Sequence, residues 1–181
     1  MTMTRAQIVE ELYYFTTGNW HPEIEPGETI AAYDAWLRAA NMSWLPLLLD
    51  IVRTPPDVDL PTEHTRELWR GVVAETIANC GKDDPLSFLR VVGPKLIEKE
   101  YRKSMVLTIG LLGSRHGLDW FEWLVDQLDL TPEEVRDVLS AIDEISEGYG
   151  ERLLRKIRDK VAPKEAELSE RVDKMLHEKN P

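Results

Sequence analysis

The sequence predicts an all-α chain, and three observations carry that expectation. Apolar residues recur at three- and four-residue spacing through nearly the whole length. No run of alternating β-branched residues is bounded by hairpin turns. One helix, bend and helix unit occurs twice: "TIANCGKDDPLSFLRVV" from Thr76 aligns without a gap on "TIGLLGSRHGLDWFEWL" from Thr108, an offset of 32 residues. The alignment pairs Ile77 with Ile109, Ala78 with Gly110, Cys80 with Leu112, Gly81 with Gly113, Leu86 with Leu118 and Leu89 with Phe121.

In chain order, Thr4 caps a first helix expected over 5–17, with Ile8, Leu12 and Phe15 on one face and Gly18 as its stop. "NWHPEIEPGE" (19–28) follows as a linker, its two prolines unable to continue a helix. A helix over 28–41 turns Ile30, Tyr33, Trp36 and Leu37 inward. Ser43 is the expected N-cap of a helix over 43–52, whose Pro46 falls in the first turn, where a missing N–H costs nothing. Three prolines make 53–62 the longest loop. Further helices are expected over 63–80, 85–100, 102–115, 118–128, 132–147, 149–161 and 164–178. Asp84 before Pro85 and Thr131 before Pro132 are cap-and-proline starts, and Glu134 completes a capping box with Thr131.

Fainter echoes of the unit occur at 35–52, with a shorter bend, and at 138–157 around Gly148. On these four hairpins the chain resembles the HEAT and armadillo class of helical repeats over about residues 28–161. The tetratricopeptide pattern fits less well, because its small, aromatic and proline positions do not overlie successive units. The resemblance implies stacked antiparallel helix hairpins, an α-α superhelix of about nine or ten helices, and a binding scaffold rather than an enzyme. The chain then reads as a single domain over 1–181, with an N-terminal helix in 1–18, hairpin repeats over 28–161 and a C-terminal capping helix in 162–181. A compact irregular bundle is the competing architecture.

Charge narrows the partners. The 33 acidic residues outnumber the 22 basic ones, for a net charge of -11, which repels nucleic acid and anionic membranes and attracts basic surfaces. The imbalance is uneven: residues 1–149 hold 13 Lys and Arg against 26 Asp and Glu, whereas 150–181 hold 9 against 7. That last segment spaces Leu153, Ile157, Val161, Leu168, Val172 and Met175 or Leu176 like heptads around Pro163, which suits a capping hairpin or self-association. A single cysteine, Cys80, fits a reducing cytoplasm, and no Cys/His cluster has zinc spacing, so neither metal nor cofactor is expected. No apolar stretch reaches the ~18 residues of a membrane span, and the N-terminus lacks the form of a signal peptide.

The candidate chemistry is sparse. "GLLGSRHG" (110–117) lacks the P-loop ending and the dinucleotide-loop spacing, so Gly113 is expected as a left-handed helix stop and Gly110 as a site of close helix approach. His21, His64, His116 and His177 have no partner at metal-binding spacing and read as surface histidines; Cys80 reads as a buried structural thiol, and Asp57 and Asp59 as solvated loop residues. Lys82, Asp83 and Asp84 at one bend, with Arg115, His116 and Asp119 at the equivalent bend, form an alternative small-ligand or enzymatic site, with Ser114 nearby but not tied to the histidine.

The helix "LDWFEWLVDQLDL" (118–130) is the leading candidate. Asp119, Glu122 and Asp126 at i, i+3 and i+7 share one face flanked by Trp120 and Trp123, which reads either as a solvated face beside two core aromatics or as a surface suited to arginine or lysine through ion pairs and cation–π contact. The expected contacts are Asp119, Glu122, Trp123 and Asp126, with Trp120 and Arg115 beside them, and the partner is a basic protein. An acidic helical repeat of this size also resembles an immunity or inhibitor protein that neutralises a basic toxin. A nucleic-acid-associated role, as in helical-repeat glycosylases, stands third because the charge opposes it.

Overall fold

The computed structural model describes residues 3–18, 24–25, 27–145, 150–161 and 165–178, and among them every regular element is helical. The α-helices are α1 (Arg5–Thr17), α2 (Thr29–Ala39), α3 (Leu45–Arg53), α4 (Glu63–Cys80), α5 (Pro85–Val92), α6 (Lys99–Leu112), α7 (Gly117–Gln127), α8 (Pro132–Glu144), α9 (Glu151–Val161) and α10 (Ala166–Glu178), with a 3₁₀ segment, Gly93–Ile97, between α5 and α6. The chain divides into two compact units, Met1–Asp84 and Pro85–Pro181.

In the first unit α1, α2 and α3 all pack against α4, the longest helix. Ile8, Leu12, Leu48, Ile51 and Ile77 are buried at its centre. Thr4 caps α1 as expected, in a box closed by the Gln7 side chain, and Gly18 ends the helix at φ 62°. Thr62 and Thr65 form a second box at the start of α4. Polar atoms that enter this core are paired: Trp36 Nε1 donates to Thr76 Oγ1 at 3.1 Å, and Tyr33 Oη donates to Glu75 at 2.6 Å. Burial and the adjacent carboxylate push the Tyr33 phenol above its ordinary value. The expected burial of Cys80 holds; burial pushes its thiol up to about 12, and Sγ donates to the Thr76 carbonyl at 3.4 Å.

Two expectations in this unit are corrected. Ser43 does not cap α3: its hydroxyl donates to Asn41 Oδ1 in a turn, and α3 begins after Trp44 without a side-chain cap. Pro46 does lie in the first turn. Ile30 does not face inward but is 79% exposed, because the packed length of α2 begins a turn later, at Tyr33.

The second unit corrects the single helix expected over 85–100. Pro94 has no N–H to give to the helix ladder, so α5 stops at Val92, the chain tightens into the 3₁₀ segment, and α6 starts at Lys99. Gly93 is required at that break, since a side chain there would overlap the Trp120 ring. Downstream, α6 packs on α8 and α8 on α10, while α7 packs on the 3₁₀ segment and on α9. Along α6 and α8 the pairings run in the same order: Arg102 with Glu134 and Lys103 with Glu133 near their starts, Gly110 against Ala141 near their ends. The two helices are therefore parallel.

The glycines of "GLLGSRHG" each have a structural task. Gly113 closes α6 in the left-handed region at φ 67°. Gly110 lies so close to α8 that an added Cβ would stand 2.9 Å from Ala141 Cα and Cβ. Gly117 is pressed onto Ile109. The internal repeat survives as matched burial, since Thr76 and Thr108, like Ile77 and Ile109, are 0% exposed. It fails at Leu86, which is 50% exposed where its counterpart Leu118 is buried, and at Gly81, whose φ of -98° is not left-handed.

Glu134 joins three elements. One carboxylate oxygen closes the capping box with Thr131, the other accepts from Arg102 at 2.5 Å, and Arg102 also donates to the Leu96 and Ile97 carbonyls of the 3₁₀ segment. Burial alone would raise this carboxyl, but hydrogen bonds from the Thr131 backbone, Arg102 and the Thr131 hydroxyl outweigh it and hold the group below its usual range.

Three variants test this packing. Gly110→Ala should lower the unfolding free energy by about 1–3 kcal/mol through overpacking against the α8 backbone. Gly71→Ala, where an added Cβ meets nothing within 4 Å, should raise it by about 0.5–1 kcal/mol, both read from urea midpoints. Glu134→Gln should cost about 1–2 kcal/mol at pH 7. Because the folded carboxyl titrates below the unfolded one, that difference should be full above the ordinary carboxylate range and vanish as pH falls through the lowered folded value; equal midpoints at pH 7 would remove this role from Glu134.

Candidate functional site

Helix α7 begins without a side-chain cap, after His116, and carries Asp119 in its first turn, where the helix dipole favours an anion. Leu118, Phe121, Leu124 and Val125 turn into the core, leaving Asp119, Glu122, Trp123 and Asp126 on the other side. The expected acidic face therefore forms.

It does not stand alone. Helix α9 runs alongside, with Leu153, Leu154 and Ile157 buried and Arg152, Lys156 and Lys160 at four-residue spacing toward α7. Arg152 donates to Glu122 Oε2 at 2.5 Å through Nη2 and 3.0 Å through Nε. Lys156 bridges Glu122 Oε1 at 3.0 Å and Asp126 Oδ2 at 2.7 Å. Lys160 donates to the Val125 carbonyl. These pairings again ascend together, so α7 and α9 are parallel.

The four charged side chains differ in environment. Glu122 is 16% exposed and Lys156 29%, whereas Arg152 is 82% exposed and Asp126 47%. The Arg152 hydrogen bond is the largest influence on Glu122 and, with Lys156, holds its carboxyl below the usual carboxylate range against the opposing effect of burial. Lys156 does the same for Asp126. In return Glu122 raises Arg152, and Asp126 with Glu122 raises Lys156. Both carboxylates are ionised at neutral pH, so neither is a proton donor there.

Beside the cluster, Arg115, His116, Asp119, Glu122 and Arg152 share a shallow polar hollow of about 890 Å³, open to solvent, with Leu118 and Leu153 in its wall. His116 is half-buried in that lining and Asp119 is exposed. Trp120 lies against Gly93 and meets Trp123 edge-on at 5.5 Å, both rings half-buried. Trp120 is thus held by packing.

Lys82, Asp83 and Asp84 are exposed residues of the first unit, and Lys82 donates to the carbonyls of Arg38 at 2.9 Å and Leu37 at 3.4 Å, closing the end of α2. His116 belongs to the second unit. His64 and His177 are exposed, and His177 Nδ1 lies 2.7 Å from the Asp173 carbonyl. His21, Gly148 and Pro163 lie outside the described residues. The apolar row of 150–181 is used within the chain, with Leu168, Val172, Met175 and Leu176 buried where α10 packs on α9.

Arg152 and Lys156 are the residues the sequence reading missed. Their signal was present: the basic segment carries Arg and Lys at the same four-residue step as Glu122 and Asp126.

No protein-family model matches the chain, and neither a curated protein nor a solved structure does.

Arg152→Ala should move the Glu122 titration midpoint up toward the ordinary carboxylate range, read by carbon NMR of its side-chain carboxyl. An unmoved midpoint would mean that Arg152 does not dwell on Glu122 in solution.

Proposed function

We propose that the chain is a non-catalytic helical-repeat scaffold that binds a basic protein partner through α7, the mode expected of an immunity or inhibitor protein. The parallel packing of α6 on α8 and of α7 on α9 supports stacked hairpins of the HEAT-like kind, since helices one hairpin apart run the same way in such a stack. The observation that carries the binding reading is the convergence of Asp119, Glu122, Asp126 and Trp123 on one helix face, with Arg152 as its most exposed cover.

That cover is what a basic partner displaces. Exposed ion pairs are worth about 0–1 kcal/mol, because water screens them and two long side chains must be held still. Arg152 is 82% exposed, so exchanging it for an arginine of the partner costs little and leaves the ionised Glu122 paired. Lys156, more buried and bridging two carboxylates, stays and fixes the geometry of the acceptor. Trp123 lies beside the entering cation and Asp119 adds a second carboxylate at the hollow. The net charge of -11 draws a basic surface from solution over roughly 8–10 Å at moderate salt.

The test is titration with a nona-arginine peptide at low and at moderate salt, followed by tryptophan fluorescence. Arg152→Ala should tighten binding about threefold by removing the internal competitor, and Asp119→Lys with Glu122→Lys should weaken it at least tenfold. Asp57→Lys with Asp59→Lys makes the same charge change in an exposed loop and should leave affinity within about twofold. Equal losses in the two double variants would mean that only overall charge attracts the peptide, and the assignment of α7 would fall.

A further inference from the structure

Helices α6 and α8 touch near their ends, where Gly110 meets Ala141, but near their starts a hollow of about 250 Å³ lies between them. Its apolar lining is Val106 of α6, Val138 of α8 and, from α7, Leu124, all three 3% exposed or less. The stretches that line it, 99–106, 124 and 131–138, fall within the unbroken described segment 27–145.

Two rows of opposite charge border this apolar lining. Lys99 and Lys103, four residues apart, share one side of α6, and Glu133 and Asp137, at the same step, share one side of α8. Two ion pairs span the gap between the helices and differ in how they are held. Arg102 and Glu134, 16% and 28% exposed, are fixed by the 3₁₀ carbonyls and by the capping box. Lys103 and Glu133, 48% and 71% exposed, have water on their outer side, and a pair so screened opens at little cost. Lys99 has neither a hydrogen bond nor an ion pair among the described residues.

Charge limits what can enter between the members of the outer pair. An anion faces Glu133 as a like charge, a cation faces Lys103, and a neutral molecule parts the two without giving either a partner. A zwitterion pairs with both. We propose that the hollow binds a free α-amino acid with a branched aliphatic side chain, independently of the acidic face of α7. The carboxylate of this ligand pairs with Lys103 and Lys99, its ammonium pairs with Glu133 and Asp137, and its side chain lies on Val106, Leu124 and Val138. The volume falls just below the range of about 300–1,000 Å³ typical of small-molecule sites, which holds the occupant to about the size of leucine.

The experiment titrates the full chain with L-leucine and follows its methyl groups by NMR. Leucine should bind one to one and saturably, shifting the methyls of Val106, Leu124 and Val138. Three analogues each lack one feature: 4-methylpentanoate the ammonium, 3-methylbutylamine the carboxylate and glycine the side chain. Each should bind at least tenfold more weakly than leucine. Lys99→Ala with Lys103→Ala, both at exposed positions, should reduce leucine affinity at least tenfold with the circular dichroism spectrum kept. Glu133→Gln with Asp137→Asn should do the same from α8, so that misfolding of one double variant leaves the other to decide. Absence of saturable binding, shifts confined to methyls elsewhere, an analogue that binds as tightly as leucine, or unchanged affinity in a folded double variant would each overturn the proposal. None of these readouts involves Asp119, Glu122 or Arg152, so the two sites stand or fall separately.

Discussion

The second unit depends on keeping parallel helices in register, and Glu122 shows how this is done. Its carboxylate is 16% exposed, and a charge that far from water is tolerated only with partners. Arg152 and Lys156 reach it together only if α9 lies beside α7 with one particular rotation and one particular offset. A slip of α9 by one residue would turn Arg152 and Lys156 away together by about 100° and leave Glu122 desolvated without either partner. The apolar contacts of Leu153 and Ile157 drive the helices together but are less selective about register, because one branched aliphatic surface resembles the next. Arg102 and Glu134 do the same for α6 and α8, with the addition that Arg102 also holds the carbonyls of the 3₁₀ segment. Register in this unit is therefore written in charge and closeness in glycine.

That division of labour explains which parts were legible in the sequence. Element type was readable because periodicity, caps and prolines act locally: Thr4, Gly18, Thr131 and Gly113 do in the structure what their positions announce. The failures are those where a neighbour, near or distant in the chain, competes with the local pattern. The expectation of one helix over 85–100 followed the apolar period of 85–92 and overlooked Gly93–Pro94, where the proline ends the ladder and the Trp120 ring occupies the space a Cβ at Gly93 would need. Ser43 has the right chemistry for a cap, but Asn41 offers its hydroxyl a closer acceptor within a tight turn. Ile30 is apolar at a helical step from Tyr33, yet no local rule says how far along α2 its neighbour α4 extends.

The candidate face was legible by halves for a related reason. Three carboxylates at i, i+3 and i+7 identify a helix face from one stretch of sequence, whereas the cations that answer them lie thirty residues on and become relevant only once α9 is known to run parallel to α7. The excess of basic residues in 150–181 was visible as a statistic; its meaning, neutralisation of α7 from within, is a tertiary fact. The same holds for the heptad-like apolar row of that segment, which α9 and α10 bury against one another and against the rest of the unit.

The two cations over Glu122 are held very differently. Lys156, half-enclosed and bonded to two carboxylates, belongs to the fold; removing it leaves a nearly buried anion short of a partner. Arg152 reaches the same carboxylate from solvent, and the free energy of such a contact is close to that of arginine and carboxylate each hydrated. A helix pair built this way keeps its acidic face ionised and ordered without closing it. In the binding mode proposed above, the exposed arginine stands where a partner's arginine would enter, with Lys156 left in place on both carboxylates.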